Sequence, residues 1–434
     1  MHITRRNLLV GLGALTLPAA LAGCGFVPQD TGARNDADTL TFTTWGTDAE
    51  LAGFRSAIKD FQRAYPGRRV ELNAVPYEQM FTNIDAQLQA GNAPDVFRVP
   101  YYSFGAYAGR GQLLDLSRSL NASVGDRFTE TAWAAVQSDG RPFGVPHHTD
   151  TSAILVNTDL MRKAGITELP RTVDEAWTWD ELGDVAGKLR SGLPDDVHPF
   201  AYNWQGNGVT RWLSLLFQAD GAFLGSDQRT PRIDSAAGRD AVTFAKRFFS
   251  EGWVPANDSV KSATYASDTW YRQRVAMVWS GAFQIPDAAS TLDFPWTATY
   301  APRRDRGGSD FGGNALVATA QSQKPDLAAS FLDFVTRRPQ MQDFCERASL
   351  LPTRRDLLDG GLRFAVRPEL TPVFVDQASV IRPADVAQVA SPDMAAIITV
   401  LQNGIEDALV GGVGAAETVQ RLQRGIADAT GGTA

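Results

Sequence analysis

Two hydrophobic periods alternate along residues 40–99. Short runs with a period of two, typical of strands, are separated by stretches in which apolar residues recur every three or four positions, as on one face of an amphipathic helix. Strands are predicted at residues 40–44, 70–74 and 95–99, and helices at residues 51–65 and 77–88. The first strand breaks at Trp45-Gly46, and Pro66-Gly67 stops the first helix. Strands separated by helices at this spacing predict parallel pairing with right-handed crossovers, and so an α/β class.

The same alternation resumes after a break. Further strands are predicted at residues 153–156, 274–279 and 314–318, and further helices over residues 182–189, 327–334, 397–405 and 419–426. Thr178 to Glu181 form a capping-box pattern, and Ser391-Pro392 is predicted to cap the penultimate helix. Ligands of open α/β sheets bind beyond the carboxyl ends of strands. A ligand-binding site is therefore predicted in the segments that follow Thr44, Val99 and Trp279.

The N-terminus has the layout of an export signal. Arg5-Arg6 precede a mostly apolar run over residues 8–21, and Leu21-Ala22-Gly23-Cys24 closes it. This ending resembles the bacterial lipobox, which predicts a signal peptide at 1–23, acylation of Cys24 and a polar, lipidated flexible stalk over 24–38. An ordinary cleaved signal with an incidental cysteine is the alternative. Residues 4–9 also fit a twin-arginine signal, and the route, Sec or twin-arginine, stays open.

Composition narrows the class of partner. Without residues 1–23 the chain has 39 Lys and Arg against 49 Asp and Glu, a net charge of −10, which argues against nucleic acid or an anionic lipid surface as the partner. At 44% hydrophobic, a chain of this length exceeds what one core usually fills, so two lobes are expected. Cys345 is the one thiol left after acylation of Cys24, and is expected to be buried and inert.

Catalytic and metal-binding motifs are missing from the sequence. There is no nucleophile elbow, phosphate loop, His-Glu-x-x-His or Cys-x-x-Cys. His147 and His148 are adjacent, so on a regular strand they would point to opposite faces and could not share a metal. We therefore expect no metal, no cofactor and no enzymatic activity. A carboxylate pair of the glycosidase type is not excluded by counting.

The whole mature chain resembles the extracellular solute-binding proteins of ABC importers, in the carbohydrate-binding group that includes maltose-binding proteins. The segments that carry the resemblance are, in order, residues 43–46 with the helix that follows, 89–96, 143–146 with Asp150 and 155–160, 275–283, 312–316 and 351–354. The resemblance implies a two-lobed periplasmic-binding-protein-like fold with a ligand cleft between lobes joined by hinge strands. It places residues 39–149 and 310–358 in an N-terminal lobe and residues 150–309 and 359–434 in a C-terminal lobe.

For a sugar ligand, aromatic rings would stack on its apolar face and polar side chains would hydrogen-bond its hydroxyls, so that an unpaired polar group penalises a wrong epimer. The candidate ligand-binding residues are Trp45, Gly46, Gln79, Asp95, Arg98, Asp150, Asn203, Trp204, Gln205, Trp279, Gly281, Phe283, Gly313, Asn314 and Arg354. Structural alternatives remain for several of them: core packing for the tryptophans, a hinge hydrogen bond for Asp150, loop fixing for Asp95 and a bridge between lobes for Arg354. Many relatives carry Gly-x-Trp where this chain has Gly281-Ala282-Phe283, so the identity of the sugar does not transfer.

The resemblance also implies partners and a location. The partners are a small-molecule carbohydrate and the transmembrane subunits of an ABC permease with a separate ATPase, and the protein is expected to be a monomer anchored on the outer face of the cytoplasmic membrane. Arg98 and Arg354 leave a glycerophosphodiester or phosphorylated polyol as an alternative ligand, through a two-arginine phosphate clamp. A surface glycoside hydrolase or esterase and a structural or adhesive surface protein are remote alternatives.

Overall fold

The computed structural model describes residues 37–204, 207–262 and 265–432. The predicted signal peptide, Cys24 and the stalk up to residue 36 lie outside these residues, as does Gln205. In the part described, no single helix is long and apolar enough to cross a membrane, although Pro383–Val389 and Met394–Leu409, bent by 91°, reach that length and composition as a pair.

The strands form two main sheets and a short hairpin. They are β1 (Thr39–Thr44), β2 (Arg69–Ala74), β3 (Val96–Pro100), β4 (Gln137–Ser138), β5 (Arg141–Pro142), β6 (Val145–Asp150), β7 (Ser152–Asn157), β8 (His198–Tyr202), β9 (Val275–Gly281), β10 (Trp296–Thr299), β11 (Gly312–Ala318) and β12 (Leu351–Pro352).

The α-helices cover the sheets and fill the C-terminal part of the chain. They are α1 (Asp48–Ala64), α2 (Tyr77–Ala90), α3 (Tyr101–Gly109), α4 (Glu130–Ala134), α5 (Thr158–Lys163), α6 (Trp179–Gly192), α7 (Val209–Gln218), α8 (Ala236–Ser250), α9 (Ala266–Tyr271), α10 (Ile285–Thr291), α11 (Pro325–Val335), α12 (Arg338–Ala348), α13 (Arg355–Leu358), α14 (Thr371–Ser379), α15 (Pro383–Val389), α16 (Met394–Leu409) and α17 (Ala415–Thr430).

The first sheet has six strands in the order β12-β6-β11-β3-β1-β2. β1 pairs in parallel with β2 and β3, as the sequence pattern predicts, and β11 runs antiparallel between β3 and β6. Leu40 and Phe42 of β1 are fully buried against Phe54 of α1 and Phe331 of α11. The apolar face of α1 is thus what fixes its position on the sheet.

The second sheet has four strands in the order β10-β7-β9-β8. β8 pairs in parallel with β9, while β7 runs antiparallel to β9 and β10. β7 and β9 are buried at every position, as expected for central strands covered on both faces. The mixed α/β fold is therefore confirmed.

The chain crosses from the first sheet to the second through a single residue, Thr151, between β6 and β7. It returns at residues 300–311, and the two crossings are bonded to each other. Thr151 Oγ1 lies 2.6 Å from Ser309 Oγ, and the carboxylate of Asp310 accepts from both the backbone N–H and the hydroxyl of Ser152, each over 3.1 Å. The crossings are thus fixed to one another beside the carboxyl end of β6.

Most predicted elements and caps are confirmed. The capping box at Thr178 and Glu181 is present, Pro325 is the first residue of α11, and Cys345 is fully buried. The predicted cap at Ser391 is wrong by two residues: α16 begins at Met394 after Asp393, and the Ser391 hydroxyl accepts from the Asp393 N–H in the preceding turn.

The predicted lobe boundaries stay a prediction. The part of the chain from Ala37 onwards clusters as one compact unit. α16 packs against α3, which follows a strand of the first sheet, and against α7 and α8, which follow a strand of the second. One apolar cluster therefore runs continuously from Phe104 of α3 through Leu401 of α16 to Trp212 of α7.

Candidate functional site

A cavity of about 430 Å³ opens where strands of both sheets end. The first sheet contributes the residues after β1, the end of β3, Asp150 at the end of β6 and the start of β11. The second sheet contributes the residues directly after β9, together with α7, α9 and α10. The cavity thus lies beyond strand ends, beside the two bonded crossings.

Seven of the predicted site residues line this cavity: Trp45, Gly46, Arg98, Asp150, Phe283, Gly313 and Asn314. They come from five separate segments of the chain, and both sheets contribute. Gly281 lies immediately behind them, since a Cβ there would be 2.2 Å from Asp150 Oδ2 and 2.7 Å from the Phe283 ring. A glycine is therefore needed for Asp150 and Phe283 to lie side by side.

Trp45 is held in the cavity wall by its neighbours. The Arg98 guanidinium lies over the indole, with Cζ 4.4 Å from the ring centroid, and Tyr77 and Phe81 contact the ring edge-on at 5.3 and 5.6 Å between centroids. The indole is half-buried. These contacts restrict its rotation, so it presents a rigid aromatic surface to the cavity.

Arg98 is buried and engaged on several sides. Its Nη1 donates to the Trp45 carbonyl over 2.9 Å, and its Nη2 lies 2.5 Å from Glu50 Oε1 and 2.9 Å from His148 Nε2. Glu50 is fixed in turn, because its other carboxylate oxygen accepts from the Thr47 N–H as part of the box that caps α1. Arg98 thus positions Trp45, and its guanidinium group is engaged by these contacts instead of being presented to an anionic ligand. Glu50 was missed, although the Thr47-x-x-Glu50 spacing is visible in the sequence.

The expectation that His147 and His148 point to opposite faces is wrong. The β6–β11 register skips His147, since Asn314 pairs with His148 and Ala315 pairs with Pro146. This bulge brings the two rings together, with Nδ1 of one 3.0 Å from Nδ1 of the other. Burial, reinforced by Arg98, lowers the pKa of His147 to about 3 and that of His148 well below its usual value, so both rings are neutral.

The neighbours of His148 determine its tautomer. A guanidinium can only donate, so His148 Nε2 accepts from Arg98, and the ring proton is then on Nδ1, facing His147. The Asn314 amide nitrogen also donates to His148 Nε2, over 3.0 Å. Among the described residues, Asn314 Oδ1 is then left as a buried acceptor without a hydrogen-bond partner in the cavity wall.

Asp150 is a buried carboxyl group at the crossing. Its Oδ1 accepts from the Ala282 N–H over 3.2 Å. Burial, reinforced by the charge of Asp310, raises the pKa of Asp150 to about 7, against the lowering effect of Arg211 and of the Ala282 N–H. Gly313 beside it has φ +99°, and a Cβ there would be 2.4 Å from the His148 carbonyl oxygen, so only glycine fits this close crossing.

Other predicted site residues lie away from the cavity. Trp279 and Trp204 are buried in the core, where Tyr202 packs against both at 5.1 and 4.3 Å between centroids. Trp279 lies two residues before the end of β9 and therefore faces the core, whereas Phe283 lies past that end and reaches the cavity. Asn203, also buried, accepts through its side chain from the Ala266 N–H.

The remaining candidates lie elsewhere on the first-sheet side. Asp95 precedes β3, at the sheet edge opposite the cavity, where it accepts from Thr41 and lies 3.4 Å from Lys324 Nζ. Arg354 pairs with Asp356 at 2.8 Å and donates to the Thr336 carbonyl. Gln79 is exposed on α2 and does not line the cavity. The two-arginine clamp of Arg98 and Arg354 is therefore not formed.

Sequence reasoning missed much of the aromatic and charged lining. The residues in question are Tyr77, Tyr102, Arg211, Tyr265, Asp268, Tyr271, Asp287, Asp310 and Phe311. Tyr102 follows the end of β3, a place the strand-end rule indicates, and its hydroxyl lies 2.5 Å from that of Tyr77. Four of the others, Arg211, Asp268, Tyr271 and Asp287, come from α7, α9 and α10, whose approach to the cavity depends on tertiary packing.

No metal site is evident within residues 37–204, 207–262 and 265–432. They contain no group of three or more His, Cys, Asp and Glu side chains arranged to hold a metal ion. The side chains that meet in the cavity are instead aromatic rings, carboxylates, amides and guanidinium groups, an arrangement suited to holding a polar organic solute.

Comparison with known proteins places the chain among solute-binding proteins. The sequence profile described as bacterial extracellular solute-binding protein matches residues 45–342. The diacetylchitobiose-binding protein DasA of Streptomyces coelicolor is 25% identical over 346 residues, covering 76% of this chain and 77% of that protein. The arabinooligosaccharide-binding protein of Bacillus subtilis is 23% identical over 335 residues, covering 74% and 73%.

Solved structures agree on the fold. A solute-binding protein of an ABC transporter from Thermotoga lettingae, bound to α-D-tagatose, superposes with a TM-score of 0.76 at 21% identity, covering 91% of this chain and 100% of that one. The GacH receptor of Streptomyces glaucescens superposes with a TM-score of 0.75 at 20% identity, covering 91% and 98%. At these identities the likeness establishes the fold.

Proposed function

The chain belongs to the family of bacterial extracellular solute-binding proteins, and on this premise we propose that it captures a carbohydrate in the cavity and delivers it to the permease of an ABC importer. A protein of this family binds its solute and does not convert it. The proposed ligand is a mono- to oligosaccharide, the proposed ligand contacts are the seven predicted residues that line the cavity, and the function needs no cofactor.

The observation that carries this proposal is the composition of the cavity wall. Aromatic rings from both sheets, among them Trp45, Tyr271 and Phe283, lie beside carboxylates and the amide of Asn314. Rings can cover the C–H faces of a sugar, while carboxylates and amides accept from its hydroxyls. A buried acceptor such as Asn314 Oδ1 penalises any ligand that brings no donor to it, and this supplies selectivity.

The crossings support capture by closure. The two sheets are linked through Thr151 and through the return segment that ends at Phe311. The cavity wall includes Asp310 and Phe311 of this return segment, and Asp150 and Gly312 from the strand ends next to the crossings. A solute that contacts residues of both sheets would favour a closed arrangement over an open one. Closed protein is then the form proposed to dock on the permease.

The relatives support a sugar as the solute. Two relatives that match over about three quarters of their own length are named for diacetylchitobiose and for arabinooligosaccharides. The phosphorylated-polyol alternative has less support, because Arg354 lies away from the cavity and Arg98 is already paired with Glu50. We also infer that Cys24 is acylated and tethers the protein outside the cytoplasmic membrane, as the sequence predicts.

A sugar panel tests the proposal. Purified protein without its signal peptide is titrated with mono-, di- and oligosaccharides and with glycerophosphodiesters while tryptophan fluorescence is followed, and ligand that co-purifies is identified by mass spectrometry. We expect saturable binding of at least one sugar. Binding of glycerophosphodiesters but of no sugar, or of neither class, contradicts the proposal.

A further inference from the structure

The cavity wall carries more negative than positive side chains. The carboxylates that line it are Glu50, Glu78, Asp150, Asp268, Asp287 and Asp310, whereas the guanidinium groups are Arg98 and Arg211. His148 adds no positive charge, because burial lowers its pKa well below its usual value. The wall is therefore formally anionic, which disfavours an anionic solute and favours a cationic one.

The two guanidinium groups have carboxylate neighbours of their own. Arg98 is paired with Glu50 in a buried ion pair. Arg211 lies close enough to Asp150 and Asp310 to lower the pKa of both carboxyl groups, opposing their burial. Neither guanidinium is therefore available to neutralise the acidic side chains of α9 and α10.

Asp287 of α10 is the acidic side chain of the wall whose surroundings best suit a bound cation. It is half-buried, and among the described residues it forms no ion pair with a Lys, Arg or His. Burial, followed by the charges of Asp48 and Glu50, raises its pKa. Asp48 and Glu50 belong to α1 on the first sheet, while Asp287 follows a strand of the second sheet. Glu50 and Asp287 both line the cavity, so like charges from the two sides repel each other there, while Asp48 lies outside its lining.

Two further features of the wall suit a cation that donates hydrogen bonds. Asn314 Oδ1 is a buried acceptor without a partner in the described part of the chain, and its residue is 8% exposed. Aromatic rings, among them Trp45, Tyr271 and Phe283, line the same cavity, and the faces of such rings attract ammonium groups.

Taking the proposed function as given, we propose that the carbohydrate carries a protonated amine, as amino sugars do, and that Asp287 selects it. The ammonium group lies between the carboxylates of the two sides and relieves their repulsion, while its N–H groups or the sugar hydroxyls donate to Asn314 Oδ1. An anionic or neutral sugar of the same shape leaves that repulsion in place. The amine therefore favours the closed protein more than a hydroxyl does.

Matched sugar pairs test this proposal by isothermal titration calorimetry at slightly acidic pH and low salt. The pairs are glucosamine and glucose, galactosamine and galactose, and chitosan and cellulose oligomers of equal length, with the N-acetylated oligomers and spermidine as further probes. We expect an amino sugar to bind about tenfold more tightly than its hydroxyl partner, equivalent to about 1.4 kcal/mol, and this preference to shrink as salt is raised.

The role of Asp287 in selecting the amine is tested with Asp287→Asn, which keeps the shape of the side chain and removes its charge. We expect it to lose about tenfold in affinity for the amino sugar while the affinity for the hydroxyl partner changes less than about twofold. Asp293→Asn is the matched control, because Asp293 is exposed, lies just after α10 and does not line the cavity.

The outcomes separate the two proposals. Hydroxyl or N-acetyl sugars that bind as tightly as the amine overturn this inference and leave the proposed function standing. Failure of every sugar in the panel to bind overturns the proposed function and this inference with it. Binding of spermidine together with failure of every sugar to bind shows a cation site without carbohydrate recognition and contradicts both proposals, whereas spermidine binding more tightly than an amino sugar that also binds contradicts this inference alone.

Discussion

The guanidinium of Arg98 lies over the indole of Trp45, with Cζ 4.4 Å from the ring centroid, and donates a hydrogen bond to the Trp45 carbonyl over 2.9 Å. One arginine therefore fixes both the backbone and the ring of the residue that directly follows β1. Because Glu50 and His148 hold the same guanidinium, the orientation of the indole depends on a buried polar cluster, in addition to its aromatic neighbours.

Trp45→Ala is expected to weaken solute binding by about tenfold or more, because it removes a rigid aromatic surface from the cavity. Trp45→Phe should keep part of the affinity but lose most of the ligand-induced fluorescence change. Trp133→Phe is the control, since Trp133 stacks on Phe128 away from the cavity. An unchanged affinity in Trp45→Ala would show that the ring does not contact the solute.

Arg98→Ala is expected to lower the free energy of unfolding by about 3 kcal/mol or more, because it leaves Glu50 buried without its partner. Urea denaturation measures this loss. The double variant Arg98→Ala with Glu50→Gln should recover part of it, since the unpaired charge is then gone. A loss below about 1 kcal/mol, typical of an exposed ion pair, would contradict the role of Arg98 in a buried cluster.

The elements around Trp45 were predictable because their signals are local. A period of two gave β1, a period of three to four gave α1, and the strand-end rule directed attention to Trp45 and to the segment after Trp279 that contains Phe283, whereas Asp150 was indicated by the family resemblance. The bulge at His147 was not predictable in this way. It arises from a skipped register against β11, a strand distant in sequence, and it places both histidines on one side.

The helical half of the cavity wall was missed for a related reason. Arg211, Tyr271 and Asp287 lie on α7, α9 and α10, and their own segments carry no motif that marks a site. Conversely, Trp279 resembles a ligand-binding residue in its sequence context, but β9 continues to Gly281 and keeps the indole in the core. The position at which a buried strand ends decides which aromatic residue reaches the cavity. An error of two residues in the predicted end of β9 therefore assigns a core residue, Trp279, to the cavity.

The stability of the protein is expected to depend on pH through Asp150. Its pKa is raised to about 7 in the folded state, whereas an unfolded aspartate titrates near about 3.9. Between these values the folded protein keeps a proton that the unfolded chain has lost, so the contribution of Asp150 to the free energy of unfolding falls as pH rises and levels off above pH 7. Asp150→Asn should therefore gain stability relative to the wild type as pH increases through this window, as thermal unfolding at a series of pH values would show.

Asp258 provides a matched control for this prediction. Its pKa is also raised to about 7 by burial, and it accepts from the Tyr202 N–H, but it does not line the cavity. We expect Asp258→Asn to show the same trend in stability with pH and an unchanged affinity for the solute, whereas Asp150→Asn should change both. Loss of affinity in both variants would point to a general effect of destabilisation.

Gly281→Ala is expected to weaken solute binding, because the added methyl group would lie 2.2 Å from Asp150 Oδ2 and 2.7 Å from the Phe283 ring. One of these side chains must move, and both line the cavity. Gly187→Ala makes the same chemical change inside α6, where a Cβ meets nothing within 4 Å. It should raise the free energy of unfolding by about 0.5–1 kcal/mol, because alanine is the better helix former, and should leave the affinity unchanged. Calorimetric titration and urea denaturation of the two variants distinguish a steric effect at the crossing from the general effect of adding a methyl group, and equal affinities would show that Asp150 and Phe283 can move without affecting the solute.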